Sequence, residues 1–153
     1  MIKIFEFLHQ KAIILDLQAK EKKNAVAEMV ECLAREKKFK DTQKAITAVM
    51  EREKLGTTGV GQGVAIPHGR TDAVDELSGA LGFSKHGVEF EALDGEPVHI
   101  IFLLLSPPDS GGEHLRALAK VSRLFKDKFF RQALLDAKSK EEVIKIIQQE
   151  DEY

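Results

Sequence analysis

The sequence predicts an α/β fold: a single-domain sandwich in which a mixed central β-sheet is flanked by helices on both faces. Three observations carry that prediction. Val98 to Leu105 is a short, nearly continuous apolar run bounded by Pro97 and Pro107, which reads as a strand covered on both faces and not as a helix. Apolar residues at helical spacing both precede and follow the strand-like middle of the chain, and helices, strands and helices in that order build a sheet with helical layers. No internal repeat, low-complexity tract or Pro/Ser-rich linker interrupts the 153 residues, so residues 1–153 are expected to form one domain, large enough for a core without staples.

In chain order, Ile13 to Leu17 reads as a first short strand. Val26, Met29, Val30 and Leu33 then recur at helical spacing, with lysines and glutamates on the other face. Asp41 is a good N-cap for a second helix carrying Ala45, Ile46, Val49 and Met50, and Gly56 is its expected stop. Val64 to Ile66 reads as a short strand, because Pro67 pushes the residue before it into extended geometry. Gly79 to Phe83 reads as another strand, with Lys85, His86 and Gly87 as the turn after it. From Glu113 onward the pattern is helical again. Leu115, Leu118, Val121 and Phe125 form one expected buried stripe, and Phe129, Ala133 and Leu134 form the next. Ser139 with Glu142 is a capping-box signature for a last helix carrying Val143, Ile144, Ile146 and Ile147.

Composition excludes several classes of function. The net charge is −2, from 23 basic and 25 acidic residues, so nothing points to nucleic acid or to an anionic membrane. The apolar run at Val98 is far too short to cross a bilayer, so no direct membrane insertion is expected. Cys32 is the single cysteine and falls on the apolar side of a helical pattern, which leaves no disulfide and fits a buried thiol in a reducing cytoplasm. The N-terminus carries Glu6 inside its apolar stretch and no small-residue cleavage site, so it does not read as a signal peptide.

The densest chemical signal is Gly61-Gln62-Gly63-Val64-Ala65-Ile66-Pro67-His68, followed by Gly69. Pro67 is a stiff support, and Gly69 without a Cβ is expected to let the chain bend just past His68. One imidazole is thereby expected at the end of a strand with open space around it, which suits a nucleophile whose neutral ring must face a substrate. Together with Glu53 and Val60, this stretch resembles the active-site signature of the fructose/mannitol/nitrogen-regulatory class of phosphotransferase-system enzyme IIA domains. The order of elements on both sides is similar over nearly the full chain.

The resemblance implies a phosphoryl carrier in which His68 accepts phosphate from the phosphocarrier protein HPr, through Nε2, and passes it to an enzyme IIB. It also implies a supporting second histidine, matched here by His114 in Glu113-His114-Leu115-Arg116-Ala117-Leu118, and an arginine beside the phosphohistidine, matched by Arg52. Phosphoryl transfer rests on positioning and charge stabilisation. His114, at the expected helix start, would donate a ring N–H to a phosphate oxygen, and Arg52 would hold the oxygens through its fork. Thr58 would add a hydroxyl, and Arg70 would bind phosphate or meet an acidic partner. Glu113 is expected to point away. Free-standing nitrogen-regulatory members are of about this length, so the alternative is a binding protein whose partners change with its phosphorylation.

Other chemistries fit poorly. The glycines at 56, 59, 61 and 63 lack the closing Lys-Ser/Thr of a phosphate loop and precede a strand, so they are expected to form turns and to bind no nucleotide. No ligand spacing suggests a metal or another cofactor, and no serine stands in a nucleophile elbow. His9, His86 and His99 are read as ordinary surface or strand histidines. An apolar rim around His68, including Phe83 or Val88, is the expected docking face.

Overall fold

The structure is a computed structural model and describes residues 2–39 and 41–151. The elements are β1 (Leu8–Ile14), α1 (Lys22–Lys37), α2 (Thr42–Lys54), β2 (Gly59–Gly61), β3 (Val64–Ala65), β4 (His68–Arg70), β5 (Ser78–Val88), β6 (Val98–Ser106), α3 (Gly112–Phe125), α4 (Lys128–Asp136) and α5 (Lys140–Asp151). A single 3₁₀ turn at Ile4–Glu6 precedes β1.

The six strands form one mixed sheet in the order β1-β5-β6-β3-β2, with β4 also paired to β6. β1 runs parallel to β5, β5 antiparallel to β6, and both β3 and β4 parallel to β6. Alternation along β6 explains its unbroken apolarity. Ile101, Leu103 and Leu105 enter one core with residues of α1 and α2, whereas Ile100, Phe102 and Leu104 enter a second core with residues of α3, α4 and α5. Successive side chains of a strand face opposite ways, so covering both faces demands an apolar residue at every position. The second core is threaded by aromatic rings: Phe7, Phe102, Phe125 and Phe130 meet in sequence at centroid distances of 6.0, 6.2 and 5.3 Å, each contact adding about 1 kcal/mol beyond burial.

Several local readings agree with the structure. Asp41 caps α2 by accepting a hydrogen bond from the Lys44 amide, and α2 ends at Lys54, just before Gly56. Ser139 Oγ accepts from the Glu142 amide at the start of α5, while the Glu142 carboxylate accepts from the Lys138 amide and not from that of Ser139. Cys32 is buried on α1.

Other readings are corrected. The first strand begins at Leu8, and Leu15 to Leu17 lie beyond its end. β5 does not turn after Phe83 but continues through Lys85, His86 and Gly87, with a register shift against β6 between Phe83 and Val88. The inward face of α3 carries His114, Ala117, Lys120, Val121, Leu124 and Phe125, while Leu115 is 62% exposed. Two polar side chains have partners that make burial tolerable there: Lys120 Nζ lies 3.3 Å from Asp151 Oδ1, and His114 bonds to Ser106. On α4 the buried residues are Phe130 and Leu134, and Phe129 is 84% exposed. Leu134 is thus buried as expected, while Phe130 takes the inward place expected of Phe129.

Candidate functional site

His68 stands where β3 and β4, a single line of chain along the edge of β6, are interrupted by Ile66 and Pro67. The Pro67 carbonyl accepts from the Leu104 amide, and His68 then pairs with Leu104. The chain therefore does not bend away after His68, as the sequence suggested; it resumes as β4. Gly69 is needed for a different reason: a Cβ there would lie 3.1 Å from the backbone of Ala48 and Val49. The missing side chain lets α2 pack directly against the strand that carries the histidine.

The half-buried His68 ring places Nδ1 2.8 Å from the Ile66 carbonyl oxygen. A carbonyl only accepts, so Nδ1 carries the proton and Nε2 carries the lone pair when the ring is neutral. Burial lowers the pKa of His68 below the ordinary histidine range. The hydrogen bond to Ile66 and the Glu53 carboxylate oppose that shift, while the positive charges of Arg52 and Arg70 add to it. The site thus holds a neutral ring with a defined tautomer at neutral pH.

The His114 ring lies 5.6 Å from the His68 ring, centroid to centroid, tilted by 57°. His114 is only 4% exposed, and its Nδ1 meets Ser106 Oγ at the end of β6. Its pKa is pushed down to about 4, first by burial and then by the charges of Arg70 and His68. α3 begins two residues earlier behind Gly111, with no side chain capping its N-terminus, so His114 is carried in the helix's first turn.

The two arginines are placed differently. Arg52, at the end of α2, donates from Nη1 to the Gly56 carbonyl at 2.8 Å and so fastens the loop after the helix, while its charge acts on His68. Arg70 reaches from β4 to the loop before α3, donating to Ser110 Oγ at 3.1 Å and to the Gly111 carbonyl at 3.4 Å. Its charge acts on both histidines. Glu113 is exposed and is not among the charges that act on either ring.

Thr58 differs from its expectation. It is buried, and its hydroxyl donates to Glu53, whose carboxylate also accepts from the Thr58 amide at 3.2 Å. Its hydroxyl proton is therefore committed inward, away from any incoming anion. Glu53 in turn pairs with Lys22 at 3.0 Å, the two side chains being 2% and 12% exposed, and the Lys22 ammonium sits 5.0 Å from the centre of the Phe90 ring. This buried linkage ties α1, α2 and the Gly-rich loop together beneath His68. The Lys22 end of it was not legible in the sequence, where a lysine at a helix start looks like any solvated lysine. The expected docking rim is also corrected: Phe83 and Val88 are buried on the far half of the sheet, opposite Ile100 and Val98. The exposed apolar side chains near the site residues in sequence are Leu55, Val60 and Leu115.

The chain is similar to known proteins over nearly its whole length. Residues 6–150 match the family described as phosphoenolpyruvate-dependent sugar phosphotransferase system, EIIA 2. Among curated relatives, a PTS system fructose-specific EIIABC component of Bacillus subtilis is 39% identical over 98% of this chain, which spans 24% of that protein's length. A nitrogen regulatory protein of Bradyrhizobium diazoefficiens is 38% identical over 81% of this chain and 80% of its own. Among solved structures, the nitrogen regulatory protein IIA-Ntr of Neisseria meningitidis superposes with a TM-score of 0.86 at 41% identity, covering 94% of this chain and 98% of that one. No helix of the described residues is long and apolar enough to cross a membrane.

Proposed function

Because the chain belongs to the phosphoenolpyruvate-dependent sugar phosphotransferase system EIIA 2 family, we propose that it is a phosphoryl carrier acting through Nε2 of His68. The observation that carries this reading is the Nδ1 hydrogen bond to Ile66, which leaves Nε2 as the nucleophilic nitrogen of a ring kept neutral by burial. Nε2 attacks the phosphorus of an HPr-type phosphohistidine as the donor's N–P bond breaks, and the donor ring keeps that bond's electron pair. The Nδ1 proton stays on His68, so the phosphorylated ring is an imidazolium whose charge the Ile66 carbonyl stabilises.

The remaining groups meet the charge on the transferring phosphoryl oxygens. With Ser106 donating to Nδ1, neutral His114 carries its proton on Nε2 and gives it to a phosphate oxygen as a hydrogen bond. Arg70 and Arg52 neutralise the oxygens, Arg70 by turning from Ser110 and Gly111. Thr58 acts through Glu53, holding the loop in place. Residues 1–153 are read as one such unit, working in the cytoplasm without a metal or organic cofactor. The onward acceptor is an enzyme IIB, in keeping with the fructose-specific EIIABC relative.

A second reading has its own support: similarity to IIA-Ntr extends over 98% of that chain, and the phosphate would then be a signal that selects a regulatory partner. Incubation with phosphoenolpyruvate, enzyme I and HPr tests the carrier reading. One acid-labile phosphate per chain is expected, and none on His68→Ala; a folded protein that never labels would refute the proposal. Transfer onward to a purified enzyme IIB favours sugar uptake, whereas phosphorylation-dependent capture of a soluble regulatory protein favours the signal.

A further inference from the structure

At the opposite end of β6 from His68 lies a half-open cavity of about 830 Å³. His68 pairs with Leu104, and His99 in the cavity wall is five residues earlier on the strand, a separation of roughly 16 Å. The cavity is therefore outside the site described above and is independent of the phosphoryl chemistry.

The local backbone explains why space opens there. The register shift between Phe83 and Val88 takes the intervening part of β5 out of step with β6, and β1 has already ended at Ile14. Gly87 adopts φ +90, and a Cβ on it would lie 2.6 Å from Pro97 Cβ and 3.3 Å from the His99 ring. The wall is thus shaped by a residue that must be glycine. The connection between α4 and α5 forms the facing wall.

The lining is amphipathic in an ordered way. Phe83 and Leu134 form a buried apolar floor, and Lys85 and Lys138 stand exposed at the cavity. Neither lysine belongs to an ion pair among the described residues. The carboxylate in the lining, Asp136, accepts from Gln132 Nε2 at 3.0 Å. His99 Nδ1 is bonded to the Ser84 carbonyl at 2.8 Å, which fixes the ring and leaves Nε2 for another group. The volume is that of a small-molecule pocket, which runs from about 300 to 1,000 Å³, with an apolar body and a few convergent polar groups.

We propose that this cavity binds a small organic monoanion, its carboxylate between Lys85 and Lys138 and its hydrocarbon body on Phe83 and Leu134. The excess of unpaired positive charge selects the anion, and the buried floor selects the hydrocarbon.

Octanoate is a suitable probe, with uncharged octanamide as its control, each titrated into the full chain labelled with ¹⁵N. Octanoate is expected to move the amides of residues 84–87 and 134–138 saturably. The double variant Lys85→Gln/Lys138→Gln should bind it about tenfold more weakly, and octanamide should be weaker by a similar factor. Both lysines are exposed, so the variant's spectrum elsewhere reports directly that it folds. The absence of any saturable shift, equal affinity for octanamide, or undiminished affinity in the double variant would overturn the proposal. Movement of the same amides with protein concentration alone would overturn it too, since a second copy of the chain would then be the occupant.

Discussion

His68 and His99 are anchored alike and surrounded differently. Each is half-buried on a strand, and each has Nδ1 2.8 Å from a backbone carbonyl, that of Ile66 in one case and Ser84 in the other. At His68 a second imidazole lies 5.6 Å away and two guanidinium charges act on the ring. At His99 the neighbours are a splayed strand and an apolar-floored cavity. The comparison separates two requirements that the word "histidine" merges. A carbonyl anchor sets the tautomer. What sets His68 apart is the second imidazole packed beside it and the guanidinium groups that act on its ring, whereas the lysines at the His99 cavity, Lys85 and Lys138, stand exposed.

The sharpest way to break this contrast is substitution of the proposed nucleophile. His68→Ala is expected to lower phosphate uptake from an HPr-type donor by about 10³-fold or more, read as acid-labile phosphate per chain; full labelling of that variant would erase the distinction between the two histidines. His114→Ala should slow transfer by about 10²-fold while leaving the final stoichiometry intact, so the rate and the end point must be measured separately. Complete loss of labelling in the folded variant would instead make His114 an acceptor or an obligatory relay.

His114 also gives the site a pH signature. Its folded-state pKa of about 4 lies below the ordinary value of 6.5, so the unfolded chain binds the proton more readily. The stability tied to the neutral ring is fully present above pH 6.5 and is lost as pH falls toward 4, by about 3 kcal/mol at most. Urea melts of the parent and of His114→Asn across that range should show a flatter dependence in the variant. His68 is shifted in the same direction, so phosphate uptake should persist below pH 6.5 before it declines.

The arginines come next. Arg70→Ala and Arg52→Ala are each expected to slow uptake by about tenfold, and Arg70→Lys should recover part of the loss. Equal and full activity in all three variants would remove the charge argument that sets His68 apart. The smallest effect belongs to the other histidine. His99→Ala loses the bond to Ser84, at a cost of about 1 kcal/mol, measurable as a lower unfolding midpoint.

The legible and illegible parts of the molecule divide along physical lines. β6 was readable because burial on both faces requires apolarity at every position, and the Asp41 cap because it depends on an amide three residues away. The stretch from Gly61 to Gly69 marked His68 through Pro67 and its glycines, although Gly69 serves the approach of α2 and not a bend. The stripe of α3 was read correctly at Val121 and Phe125 but misread at Leu115, because His114 and Lys120 point inward. Their partners, Ser106 and Asp151, sit on other elements, and hydropathy treats a satisfied polar side chain as an exposed one. The same blindness hid the linkage of Lys22, Glu53 and Thr58, and gave no sign that the charge of Arg70 acts on both rings.

What this sequence determined unaided is whatever depends on near neighbours and periodicity: the alternation of helices and strands, the capped helix starts, and the proline-supported imidazole. What the tertiary structure decided is which charges and hydrogen-bond partners meet across the sheet. Those partners are separated along the chain by distances that no local pattern encodes, and they are brought together only when both faces of β6 are buried.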